Sequence, residues 1–138
     1  MQEVRCAYLA VALGGGLGAM ARAAVVELWP QGSGEFPWSV FAVNTAGAAM
    51  LALVLVWGER SLAGHPRWHR LWRLFMATGV LGGFTTTSAF AVLSVEMARS
   101  GLPATAFSFV LGSVAAAWLA HAAAHALALR SWPRSVAR

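Results

Sequence analysis

The chain has 138 residues, 59% of them apolar, and a mean hydropathy of +0.64. Its only charges are ten Arg and five Glu, 11% of the chain, where a soluble domain of this length carries about a quarter. That scarcity excludes an ordinary soluble enzyme, a disordered protein and a disulfide scaffold, and the Arg residues are too few and too dispersed for a nucleic-acid face. The one cysteine, Cys6, cannot form an intrachain disulfide.

Charged residues punctuate the chain. Residues 6–21, 36–58, 74–95 and 100–129 are runs of 16, 23, 22 and 30 residues without a charge, and Arg22 interrupts an apolar stretch that resumes to Trp29. A spanning helix needs about 20 residues to cross roughly 30 Å of hydrocarbon. Four transmembrane helices are therefore predicted, near 5–28, 37–58, 73–96 and 102–129, forming one all-α membrane domain. No recurring polar face supports a soluble bundle. The long first span, with its glycine run and Arg22, does not read as a cleaved signal peptide. The connections are expected at Pro30–Glu35, Glu59–Trp72 and Met97–Gly101, too short for an extramembrane domain.

With four spans, both termini and the middle connection share a side. Arg5, Arg60, Arg67, Arg70, Arg73, Arg130, Arg134 and Arg138 fall there, and only Arg22 and Arg99 fall opposite. This bias predicts cytoplasmic termini. Trp29, Trp38, Trp57, Trp72 and Trp132 sit near span ends, where interfacial tryptophans belong.

In the first span, Gly14 and Gly18 form a small-x-x-x-small pair for close helix packing. Gly14-x-Gly16-x-x-Ala19 matches a dinucleotide fingerprint only superficially, since no strand precedes it. Arg22 reads as an interfacial anchor or as an electrostatic attractor at the mouth of an anion path; its place near the span end favours the anchor. Asn44, about a third of the way into the second span, either joins helices by hydrogen bonding or lines a polar path, and taken alone joining is favoured.

The third span holds Gly79-Val80-Leu81-Gly82-Gly83-Phe84-Thr85-Thr86-Thr87-Ser88-Ala89-Phe90. Glycine and β-branched threonine are poor helix formers, and their clustering at mid-span predicts a broken helix. Unwound backbone at that depth must lie inside protein or along a hydrated cavity, where its carbonyls can hold a cation and its N–H and hydroxyl groups can meet an anion. The competing reading is a continuous helix whose hydroxyls bond back to their own carbonyls. The fourth span carries Ser108, Ser113, His121 and His125. The His pairs 121/125 and 65/69 are spaced four apart but lack a Cys or carboxylate partner, so zinc is the minor reading. No catalytic constellation emerges, and no acidic residue stands at membrane depth to drive a proton-coupled exporter.

The segments Gly14-Gly15-Gly16-Leu17-Gly18-Ala19 with Arg22, Asn44-Thr45-Ala46-Gly47, and Gly79–Thr86 with Ser88 and Phe90 resemble the Fluc/CrcB fluoride channels in order and spacing, over nearly the whole chain. The third-span motif is the specific part. The resemblance implies a bacterial inner-membrane channel for passive fluoride efflux, built as a dimer of antiparallel four-helix subunits. It implies two fluoride paths and a structural sodium ion held by the Gly82 and Thr85 carbonyls of both subunits. Asn44, Thr86, Ser88, Phe90 and Ser113 would line the fluoride path, and Arg22 matches a vestibule position. Thr87 stands where the family usually has Phe, Ala89 where it has Thr, and Leu93 where Glu is frequent. Phe109 aligns with a common Tyr and Ala117 with a second Ser. An antiparallel homodimer inserts one sequence both ways and favours balanced Arg, so the eight-to-two bias points to an oppositely oriented paralogue as partner. A weakly conducting or non-conducting partner subunit of such a heterodimer is the alternative.

Overall fold

The computed structural model describes residues 1–30, 32 and 35–131; Arg134, Arg138 and Trp132, used above for sidedness and interface anchoring, lie outside the described residues. Helix α1 runs Gln2–Leu28 and α2 runs Trp38–Ser61. The third span, α3, is continuous through Pro66–Trp72, a π-helical stretch Arg73–Leu81, and Gly82–Phe84. Helix α4 (Thr87–Arg99) completes that span after a break, and α5 runs Pro103–Ser131. These elements make four helical spans long and apolar enough to cross a membrane, with no strand among the described residues.

The helix ends follow local chemistry. Pro30 follows the end of α1, Pro37 precedes α2, and Pro66 and Pro103 open α3 and α5, where the missing N–H costs nothing. At the end of α4, Gly101 takes φ 78° and the Leu102 N–H bonds the Met97 carbonyl at 3.0 Å. This closing turn swings Leu102 back towards the core.

The helices outrun the uncharged stretches that marked them. Charge marks where hydrocarbon ends, not where a helix does, because Arg and His can extend a helix into the headgroup layer. The middle connection consequently shrinks from the expected Glu59–Trp72 to the residues between Ser61 and Pro66. His65 occupies the N-cap position of α3 and His69 lies on the helix, rather than both standing in a loop.

Two seams hold the bundle. Helix α2 packs along α5, and α1 along the π-helical stretch and the Gly82–Phe84 turn. The second seam is built on glycines. A Cβ on Gly14 would collide with the Phe75 carbonyl, and one on Gly18 with the Val80 carbonyl and, at 2.8 Å, the Phe84 nitrogen. From the other side, a Cβ on Gly83 would strike the Gly15 carbonyl. Backbone meets backbone, as small residues permit in a membrane. Gly16, by contrast, faces open space. Phe109, fully buried, anchors a core cluster with Val40, Met97 and Ala106 between α2, α4 and α5.

Candidate functional site

The break falls at Thr85 and Thr86, both with extended backbone (φ −75°, ψ 160° and φ −144°, ψ 119°). Thr85 still follows the helical rule. Its N–H and its hydroxyl both donate to the Leu81 carbonyl, at 2.9 and 2.8 Å. The back-bonding reading thus holds for Thr85, yet the helix stops there. Thr86 Oγ1 accepts from the Ala89 N–H at 3.1 Å and caps α4.

Asn44 sets the geometry of the break. Its Oδ1 accepts the Thr86 N–H at 2.8 Å and its Nδ2 donates to the Thr86 carbonyl at 3.0 Å. One amide side chain on α2 therefore satisfies both backbone groups of the residue between two half-helices. Gly47, one turn along α2, completes the fit, because a Cβ there would strike the Thr85 methyl.

This bonding releases two carbonyls. In an unbroken helix the Thr86 N–H would bond Gly82 and the Ala89 N–H would bond Thr85. Both N–H groups are used elsewhere, by Asn44 and by the Thr86 hydroxyl. Gly82 and Thr85 both line a groove of about 430 Å³ on the face formed by α2, α3 and α5. The same groove gathers Asn44, Thr86, Thr87, Phe90 and Ser113.

The groove is apolar except for a few donors. Asn44 has a second N–H beyond the one given to Thr86. Ser113 is buried, and its hydroxyl has no hydrogen-bond partner among the described residues. A hydroxyl orphaned in this way carries a desolvation penalty of about 1–3 kcal/mol unless something else occupies the groove. Ala117, one turn beyond Ser113 on the same face, also lines it. Phe90 presents its ring to the groove and packs on Phe109, centroids 5.2 Å apart, which in turn meets Phe36 edge-on at 5.5 Å.

One residue expected in the path, Ser88, stands outside the groove, and Arg22, expected at a vestibule, lies in a separate one. Ser88 is exposed and does not line the groove, but its hydroxyl lies 3.3 Å from Thr86 Oγ1. Arg22 lines a second groove of about 670 Å³, near the end of α1 and the start of α2, with Ser39, Ala89, Leu93 and again Thr86. The half-buried Arg22 has a buried Nε without a partner among the described residues, a placement deeper than a freely snorkelling anchor requires. Thr86 is the residue common to both grooves.

The histidines have local roles. His121 Nδ1 lies 3.0 Å from the Ala48 carbonyl and its ring stacks on His125, centroids 6.3 Å apart. Neither lines the groove. Gly47, the Leu81 carbonyl and the central place of Phe109 were not anticipated as parts of the site. The signal for Gly47 was its spacing of three from Asn44, which puts both on one helix face.

Relatives of the chain carry a common name. A fluoride-specific ion channel FluC of Bordetella petrii is 41% identical over 124 residues, covering 87% of this chain and 92% of the relative. One from Thermus thermophilus is 39% identical over 110 residues, covering 78% and 81%. A fluoride-specific ion channel FluC 2 of Streptomyces avermitilis is 42% identical over 109 residues; the match covers 75% of this chain but less than two thirds, 63%, of that relative. A family model described as CrcB-like protein, camphor resistance (CrcB), matches residues 9–125, which includes most of each of the four spans, the Asn44-clamped break and both grooves, and the chain belongs to this family.

Proposed function

We propose that the chain is a subunit of a passive, fluoride-selective channel that lets fluoride leave the cytoplasm across the bacterial inner membrane. The observation that carries the proposal is the groove at the helix break, where the orphaned Ser113 hydroxyl stands in a largely apolar wall beside two released carbonyls. Fluoride is small and strongly hydrated, and a path must replace its water with hydrogen-bond donors. The second Asn44 N–H, the Thr87 and Ser113 hydroxyls and the positive edge of the Phe90 ring supply several modest sites. Modest sites in series let an ion through, whereas one tight site would hold it. The channel names of the relatives support the same reading, and no step here calls for an enzyme.

A second subunit fits the same groove. The released carbonyls of Gly82 and Thr85 lie at membrane depth, where lipid cannot satisfy them. A partner in antiparallel orientation, covering this face, would enclose them and place their counterparts opposite. Four neutral, hard oxygens suit a sodium ion, and that donor chemistry needs no carboxylate or thiolate. When bound there, sodium supplies a fixed positive potential beside the groove. The partner is either a second copy or an oppositely oriented paralogue. The eight-to-two Arg bias of the sequence favours the paralogue, in which case this chain, with Thr87 and Ala117 in its groove, conducts weakly or serves as the structural partner.

The test is fluoride-electrode efflux from liposomes holding the purified chain, alone and coexpressed with any neighbouring homologue. Fluoride efflux that exceeds chloride efflux supports the reading, and no efflux in either preparation refutes it. Ser113→Ala makes a sharper version. Removing an unpartnered hydroxyl should leave thermal stability equal or slightly higher, yet lower fluoride efflux several-fold. Phe90→Ile should also lower efflux, by removing an aromatic ring from the groove wall while keeping an apolar side chain against Phe109. Unchanged efflux in both variants removes these residues from the path.

A further inference from the structure

Far from the helix break, the end of the bundle where α1 begins, α2 ends and α3 begins carries two adjoining hollows. One is a cleft of about 280 Å³ whose charged rim is Arg67, Arg70 and Glu3. The other is an apolar groove of about 540 Å³, walled by Leu9, Trp57, Trp68, Trp72 and Phe75. Cys6 and Leu71 belong to both, so the basic cleft and the apolar groove meet at these two side chains. We propose that this pair of hollows is a binding site for a single anionic phospholipid, with its phosphate at Arg67 and Arg70 and an acyl chain along the Trp57–Trp72 wall.

Each part has the chemistry such a ligand needs. Arginine forks suit phosphate oxygens, and a basic pocket between helix ends at the membrane face is placed to meet a headgroup. Glu3 does not neutralise the cleft. Its carboxylate stands 4.0 Å from Arg70 with both side chains largely exposed, so the pair is loose and screened. The indole nitrogen of Trp72 is already used, since its Nε1 donates to the Val54 carbonyl at 3.2 Å. Trp57 and Trp72 lie 4.5 Å apart and form a continuous apolar wall. The close fit of Trp72 depends on Gly58, since a Cβ there would stand 2.8 Å from the Trp72 ring. Trp68, largely exposed, stands at the lip as interfacial tryptophans do. The position of each Arg on the inner side also satisfies the general charge bias of membrane proteins, and the test must separate a built site from that bias.

Native mass spectrometry of the detergent-purified full chain, with phosphatidylglycerol or phosphatidylcholine of the same acyl chains, reads the site directly. One phosphatidylglycerol per chain should be retained under conditions that strip phosphatidylcholine. The double variant Arg67→Gln/Arg70→Gln should weaken that retention by about tenfold or more, and Arg99→Gln, at the opposite end, should not. Retained helicity by circular dichroism shows that the double variant is folded. As a second reading, Cys6, the chain's only cysteine, should react more slowly with a maleimide when phosphatidylglycerol is present, and inorganic phosphate alone should not slow it. Equal loss of lipid in Arg99→Gln and the double variant, retention unaffected by the double variant, or protection of Cys6 by phosphate alone would each overturn the proposal, the last in favour of a free-anion site.

Discussion

Asn44→Leu should reduce fluoride efflux at least about tenfold and lower the thermal stability of the purified protein. The side chain it removes is bonded to both backbone groups of Thr86, and leucine of similar size leaves that N–H and carbonyl unpaired at the centre of the span. Each orphaned buried group costs about 1–3 kcal/mol, so the clamped break is worth about 2 kcal/mol or more. Without the clamp, Thr86 N–H is free to return to Gly82, which would re-form the helix and withdraw a released carbonyl from the groove. Asn44→Asp separates structure from conduction. It keeps an acceptor for the Thr86 N–H, so much of the fold should persist, but it puts a negative charge into an anion path and should stop efflux. Fluoride-electrode measurements with thermal melts on both variants give the answer, and normal efflux from Asn44→Leu would end the account of the break given above.

Gly18→Ala should be the most damaging single-methyl change in the first span. The added carbon would collide with the Val80 carbonyl and stand 2.8 Å from the Phe84 nitrogen. Backbone atoms cannot rotate aside as a side-chain tip can, so α1 and α3 must separate along the seam. Overpacking of this kind costs about 1–3 kcal/mol, and more where nothing can yield. Because Phe84 immediately precedes Thr85, the shift reaches the break, and efflux should fall with stability. Gly16→Ala, two residues away, meets nothing within 4 Å. It should be neutral, or gain up to about 1 kcal/mol from helix propensity. Monodispersity and melting temperature in detergent distinguish the two, and equal tolerance of both would show that the seam is not tight.

What the sequence made legible depended on where each feature is encoded. The four spans were readable because a membrane imposes a length and an apolar composition on contiguous residues. The break was readable because Gly82, Gly83 and Thr85–Thr87 are poor helix formers in a row. Gly14 and Gly18 were readable as packing residues from their spacing alone. The clamp was only half readable. An amide at membrane depth announces a partner, but the partner of Asn44 lies 42 residues away, and no local pattern says which backbone group it meets. The helix begins earlier than expected where charge and helix part company, as at Arg67 and Arg70. The π-helical stretch Arg73–Leu81 is set by packing against α1 and carries no local residue pattern that marks it. Ser88 is expected in the fluoride path from its position in a motif, while the folded backbone puts it beside Thr86 and outside the groove; Arg22, expected at a vestibule, lines a neighbouring groove.

The clamp between α2 and the break also has a consequence for synthesis. Asn44 leaves the ribosome before Thr86, and domains form as their chains emerge. Where spans insert in the order of synthesis, the Asn44 amide is in place before the third span arrives, as a template for a backbone that cannot satisfy itself. A circular permutant that delivers the third span before the second would have to insert the break with no template, and its yield of inserted protein would measure how far the order of the genes' codons has been part of the fold.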